Sequence, residues 1–178
     1  DNNSNKLRIL DINLNFKDPF NVERKKASKF VLRCLDLGNG LALETKTAGL
    51  INCAISKNLL NKQKIGVTEY LASKSSLKNN SEVMLIKNDK LSVSPITTHI
   101  NIKDISRKIT KELIINKVKT IEFWYKKKLK KKAKMAILGL NPHNAELRAT
   151  SEERKIIIPA INKLKKLGIN IKGPLVSD

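Results

Sequence analysis

The chain has two histidines, His99 in "ITTHI" and His143 in "GLNPHN". Each ends or directly follows an apolar run that reads as a buried strand. In open α/β sheets, ligands collect beyond the carboxyl ends of strands, so both imidazoles stand where functional groups belong. Two neutral imidazoles are good donors for a divalent metal when a carbonyl or carboxylate fixes the other ring nitrogen. Taken singly, each is more often a satisfied loop histidine than a ligand. They lie far apart in the chain, with no local chelating motif, and two ligands fall short of the three that a catalytic metal usually takes from protein.

Other chemistries are poorly represented. "GNGLAL", 38–43, begins like a dinucleotide fingerprint, but Leu43 stands where the third glycine belongs and the segment follows a helix rather than a strand. No lysine-bearing phosphate loop and no serine-hydrolase elbow is present. Cys53 could pair with a histidine as nucleophile, yet nothing near it in sequence would activate the thiol. Cys34 and Cys53 both lie in apolar stretches and read as reduced, buried thiols of a cytoplasmic protein.

The elements that must position the histidines follow from periodicity. "LRILDINLNF" alternates Leu10, Ile12, Leu14 and Phe16 and predicts a half-buried strand. Ala27, Phe30, Val31 and Cys34 recur at helical spacing over 22–37, and Gly38 is expected to end that helix. "AGLINCAI", 48–55, predicts a buried strand, and Thr68 a cap for a short helix. "EVMLI" and "LSVSPI" flank "KNDK" as a hairpin. Asp104 and Thr110 are candidate helix caps; the helix after Thr110 carries Ile114, Val118, Ile121 and Tyr125 on one stripe. "MAILGL", 135–140, predicts a strand covered on both faces. Thr150 with Glu153 spells a capping box for the next helix. Pro159 predicts a break within that helix, Gly168 its end, and "INIKGPLVSD" a further strand. Alternating strands and helices make the fold class α/β, a mostly parallel mixed sheet flanked by helices. Residues 1–178 read as a single α/β region without internal repeat or long linker.

The formal charge of +20 invites a nucleic-acid reading. The excess is spread along the chain and is nearly all lysine, whereas bidentate phosphate and base recognition favours arginine. One dense block, "KKKLKKKAK" at 126–134, follows Phe123, Trp124 and Tyr125. Lysines beside aromatics suit single-stranded nucleic acid, but charge runs are usually solvated faces, here at a helix C-terminus that favours cations. The solvated face is the preferred reading. No apolar run reaches the roughly 18 residues of a membrane span.

Two segments carry a family resemblance. "PITTHINIKDIS", 95–106, and "ILGLNPHNAE", 137–146, resemble the 4-hydroxythreonine-4-phosphate dehydrogenase family of vitamin B6 biosynthesis. "LINCAISK" at 50–57, "GVTEYLA" at 66–72 and "SEERKIIIPAI…GPLVSD" resemble further family segments in the same order. The likeness covers roughly residues 45–178 and is faint before that. It implies an isocitrate/isopropylmalate dehydrogenase-like fold, incomplete here, with this chain an internal fragment of a longer enzyme and inactive by itself.

By that resemblance His99 and His143 match two of three metal-binding histidines, for Zn, Mg, Mn or Co. Thr68 matches the threonine of a substrate-contacting His-Thr pair, and Val67 stands where the family usually has the histidine. Asp178 matches an aspartate near the reacting groups, and Lys57 a lysine beside the site. "NAELRATSEE" replaces a Gly-rich loop after Asn-Pro-His. The implied activity is NAD-dependent oxidation of 4-phosphooxy-L-threonine followed by decarboxylation, in a cytoplasmic homodimer whose metal sites draw ligands from both subunits. A degenerate, non-catalytic relative and a basic nucleic-acid-binding module are the competing readings.

Overall fold

The computed structural model describes residues 8–44, 47–60, 66–75 and 81–176. The chain divides into two compact units, Asp1–Leu77 and Lys78–Asp178.

In the first unit, helix α1 (Arg24–Leu43) is followed by a 3-10 turn (Lys57–Leu60) and helix α2 (Val67–Lys74). Leu35, Leu60 and Tyr70 form its core, with Val31, Leu32, Ile55, Val67 and Leu71 packed around them. Ser28 Oγ donates to Leu59 O at 2.5 Å and Arg24 Nη2 to Asn58 O at 3.0 Å, tying the turn to α1. Gly38 does not end α1, which runs five residues further. A Cβ at Gly38 would stand 2.7 Å from Leu50 Cδ1, so this glycine makes room for a packed leucine instead of breaking the helix. Among the described residues of "LRILDINLNF", 7–16, and "AGLINCAI", 48–55, the expected strands are absent: neither stretch has a ladder partner.

The second unit begins with the expected hairpin, β1 (Ile86–Lys87) antiparallel to β2 (Ser92–Val93). Asn88 Oδ1 closes its turn by accepting from the N–H groups of Lys90 and Leu91 at 2.9 and 2.8 Å. Short helix α3 (Ile105–Lys108) precedes α4 (Lys111–Leu129). Thr110 caps α4 as expected, accepting from Leu113 N at 3.1 Å. Asp104 makes no cap bond; its carboxylate takes Arg107 instead, at 3.0 Å. Strand β3 (Met135–Leu138) runs parallel to β4 (Ile171–Leu175), and between them helix α5 (Ile158–Lys166) makes the crossover. Pro159 has no N–H for an i−4 bond, and the turn before it, Glu153–Ile157, widens into a π-helix. Gly168, at φ 75°, ends α5 as expected.

Ile114 and Val118 of α4 meet Ile157, Ala160, Ile161 and Leu164 and the strand residue Ile171 in the main core. β3 is covered on one face only: Met135 and Ile137 are half-buried, while Ala136 and Leu138 are exposed, so the expected two-sided cover is not found. A Cβ at Gly173 (φ 127°) would collide with the Ile137 carbonyl, so glycine is what lets β4 approach β3 there.

Candidate active site

The two histidines follow different strand pairs. His99 lies in the loop after β2, His143 in the loop after β3, and β2 pairs with β1 whereas β3 pairs with β4. One sheet edge therefore does not carry both. What links the loops is the core. Ile96 and Leu140, each three residues before a histidine, pack against the same cluster of Ile109, Ile114, Ile161 and Leu164.

Both histidines are exposed, and both adopt the left-handed backbone conformation, φ 55° at His99 and 49° at His143. Few non-glycine residues do so, and those that do cluster at functional sites. After His143 the conformation persists through Asn144, Ala145, Glu146 and Leu147, at φ 54°, 51°, 46° and 52°. Each such residue costs about 1–2 kcal/mol relative to the right-handed form. The "NAEL" segment thus keeps positive φ through four consecutive non-glycine residues.

Named contacts hold the turn. Asn144 is buried, its Nδ2 donates to Pro174 O at 3.2 Å, and its Oδ1 is buried without a hydrogen-bond partner against Gly139. Arg148 Nε donates to Ala145 O at 3.1 Å and Arg154 Nη1 to Leu147 O at 3.3 Å. On the other side of His143, Glu153 has no exposed surface and receives the N–H groups of Leu140 and Asn141, both at 2.8 Å. Burial alone would raise the Glu153 pKa, but the bonds from Asn141 and Leu140 outweigh it and leave the carboxyl below its ordinary value. The capping box expected from Thr150 and Glu153 is not formed; Ser151 Oγ accepts from Arg154 N at 3.3 Å, and Glu153 reaches back to the histidine loop. The signal in sequence was the acidic pair Glu152–Glu153 itself, which also has a local explanation as a helix start.

Val67 and Thr68 open α2 in the first unit. Val67 packs against the Leu35–Leu60–Tyr70 core, and Thr68 is exposed at the second helical position. Gly66, not Thr68, is the N-cap residue. Lys57 opens the 3-10 turn, its side chain outside the described part, and Asp178 lies outside the described residues altogether. A groove of about 290 Å³ in the first unit is lined by Ile12, Leu14, Lys26, Lys29, Phe30 and Arg33 among others, and no candidate site residue lines it. Among the described residues, no three His, Cys, Asp or Glu side chains cluster as a metal site. The donors present nevertheless suit a divalent ion: two exposed imidazoles, on backbone anchored a few residues upstream to one core.

The lysine block ends α4 as a solvated surface. Lys126, Lys127, Lys128, Lys130, Lys131, Lys132 and Lys134 are all exposed. Phe123 beside them is 62% exposed, with Lys127 Nζ 5.4 Å from its ring centroid. No helix among the described residues is long and apolar enough to cross a membrane.

Residues 1–178 match the family profile of the pyridoxal phosphate biosynthetic protein PdxA. The chain belongs to this family. It is similar to the 4-hydroxythreonine-4-phosphate dehydrogenase of Sulfurihydrogenibium sp. (strain YO3AOP1), 43% identical over 141 residues that cover 76% of this chain and 43% of that protein. The enzyme of the same name from Aquifex aeolicus (strain VF5) is 38% identical, over 77% of this chain and 43% of its own length. Among solved PdxA-family structures, the 4-hydroxythreonine-4-phosphate dehydrogenase of Burkholderia phymatum superposes with a TM-score of 0.72 at 27% identity, over 85% of this chain and 47% of that one. The Klebsiella pneumoniae enzyme superposes with a TM-score of 0.75 at 22% identity, over 85% and 46%. The α/β fold read from the sequence is thus that of the PdxA family, isocitrate dehydrogenase-like in class. The chain spans about half the length of the curated relatives it matches.

Proposed function

We propose that the protein containing this chain is an NAD-dependent 4-hydroxythreonine-4-phosphate dehydrogenase of pyridoxal phosphate biosynthesis. The observation that carries the proposal is the pair of left-handed histidines, His99 and His143, each in a family-like segment and each anchored three residues upstream to the same core.

In this reading His99 and His143, as neutral imidazoles, would hold a divalent cation such as Zn, Mg, Mn or Co. When bound, the cation supplies a positive charge that lowers the pKa of the substrate hydroxyl. Asp178 would take the hydroxyl proton, and the carbinol hydrogen would leave as hydride to NAD. The 3-keto acid so formed loses carbon dioxide. Thr68, exposed at the start of α2, would orient substrate through its hydroxyl. Val67 would set the place of α2 by packing, and Lys57 would lie near the phosphorylated substrate. A cytoplasmic homodimer sharing ligands between subunits completes this reading.

The test uses the intact protein with 4-phosphooxy-L-threonine, NAD and each metal in turn, followed by NADH absorbance. Metal-dependent turnover, lost on chelation and in His99→Ala and His143→Ala, is the expected result. Turnover unaffected by either substitution would refute the assignment. A non-catalytic relative is the second reading, favoured by Val67, which is turned to the apolar core where the family usually has a substrate-contacting histidine; binding of metal and substrate with no NADH formed would support it.

A further inference from the structure

We propose that Glu153 is a positioning residue that sets the presentation of the His143 imidazole; the proposal rests on the reading of His143 as a metal ligand. Glu153 lies in the π-turn that follows the histidine loop and has no exposed surface. Its Oε1 accepts from Leu140 N at 2.8 Å, from Asn141 N at 2.8 Å and from Asn141 Nδ2 at 3.3 Å. Its Oε2 accepts from Asn141 Nδ2 at 3.1 Å, and that amide also donates to Glu152 Oε2 at 2.9 Å. All these donors belong to the two residues immediately before Pro142 and His143.

The location explains why a carboxylate is used. The β3–β4 ladder continues to Gly139, whose N–H donates to Leu175 O at 2.9 Å. The next two N–H groups, Leu140 and Asn141, leave the ladder and would be unpaired beside the core. One buried carboxylate takes both, and charge-assisted bonds of this kind are short and directional. Pro142 then restricts the backbone by fixing its own φ, so little torsional freedom separates the clamped Asn141 from His143. Beyond the histidine, Asn144 and Arg148 hold the left-handed turn from the far side. The imidazole is thus carried on a segment fixed at both ends, and Glu153 is the larger fixture.

A glutamine at 153 has the same shape but places an NH2 where one carboxylate oxygen stood. Either that group faces Asn141 Nδ2, donor against donor, or the amide turns and withdraws the oxygen shared by the two backbone N–H groups. The structure therefore predicts that Glu153→Gln moves the histidine without removing any ligand.

The test is Co2+ binding to the intact protein, read as affinity and as the visible ligand-field spectrum, with backbone amide exchange at Leu140 and Asn141 measured in parallel. Glu153→Gln and Glu153→Ala are expected to weaken Co2+ binding by up to about tenfold, the low end of what is lost with a direct partner of a metal ligand, because Glu153 acts through Leu140 and Asn141. They should also alter the spectrum and speed exchange at both amides. Where Glu153→Ala fails to fold, the isosteric Glu153→Gln carries the measurement. His143→Ala separates the two ideas. If it binds Co2+ as tightly as the unaltered protein, the metal reading fails and the positioning role fails with it. If His143→Ala loses Co2+ while Glu153→Gln keeps the original affinity and spectrum, the positioning role alone is overturned.

Discussion

Asn144 closes over Gly139 so tightly that a Cβ at residue 139 would collide with its Oδ1. Gly139 is the last residue of the β3–β4 ladder, and Asn144 is the second residue of the left-handed turn. The contact therefore joins the end of the sheet to the loop that carries His143. Gly139→Ala is expected to destabilise the protein by about 1–3 kcal/mol, the usual range for overpacking a close contact. Denaturant unfolding measures it. Asn144→Ala in the same chain should recover part of that loss, because the clash and the loss share one partner. Strict additivity of the two changes would show that Gly139 is needed for another reason.

The left-handed turn makes an opposite prediction at Glu146. This residue is exposed at φ 46°, and its only described ion pair, with Arg148, is long at 3.8 Å and solvated. Glycine would relieve about 1–2 kcal/mol of left-handed strain, against roughly 0.4–1 kcal/mol of added freedom in the unfolded chain. Glu146→Gly should therefore raise stability by up to about 1.6 kcal/mol. A loss of stability on thermal unfolding would contradict the turn as described.

Much of this architecture was legible because local chemistry and tertiary context agree. Thr110 caps α4, Gly168 ends α5, Pro159 disturbs its helix, and the stripe of Ile114 and Val118 is buried where periodicity placed it. What was misread is where a residue has two physically sound uses. Gly38 reads as a helix stop but serves as space for Leu50. Glu153 reads as half of a capping box but is the clamp on Leu140 and Asn141. Alternation at Leu10, Ile12, Leu14 and Phe16 states which face could be buried, yet a strand also needs a partner to complete its ladder, and sequence does not supply one. For the site, the residue types at 99 and 143 were readable; their shared left-handed backbone was not, since histidine rarely signals it.

Val67 offers a test of the packing at the start of α2. Its side chain packs against Leu35, Leu60 and Tyr70, an apolar setting in which an imidazole would lose hydration. Val67→His is expected to cost about 1–2 kcal/mol in stability and to leave substrate affinity of the intact protein unchanged. Tighter substrate binding by isothermal titration would mean that the imidazole swings out of the core and reaches substrate.

Glu153 should also make stability depend on pH in a defined direction. Its burial would favour the protonated acid, but the N–H donors of Leu140 and Asn141 and the Asn141 amide favour the carboxylate more, so its folded pKa lies below the ordinary value of 4.5. A carboxyl depressed in the folded state binds fewer protons there than in the unfolded chain. Its contribution is then present in full above about pH 4.5 and is lost as pH falls through the folded pKa. In Glu153→Gln this part of the acid dependence should vanish, leaving a flatter stability curve below about pH 4.5 although the protein is less stable at neutral pH. Urea midpoints collected from pH 3 to 7 for both proteins measure the difference. Parallel curves would mean that folding does not depress the Glu153 pKa, and a stability that falls as pH rises through the ordinary carboxyl range would mean that the fold holds Glu153 as the neutral acid.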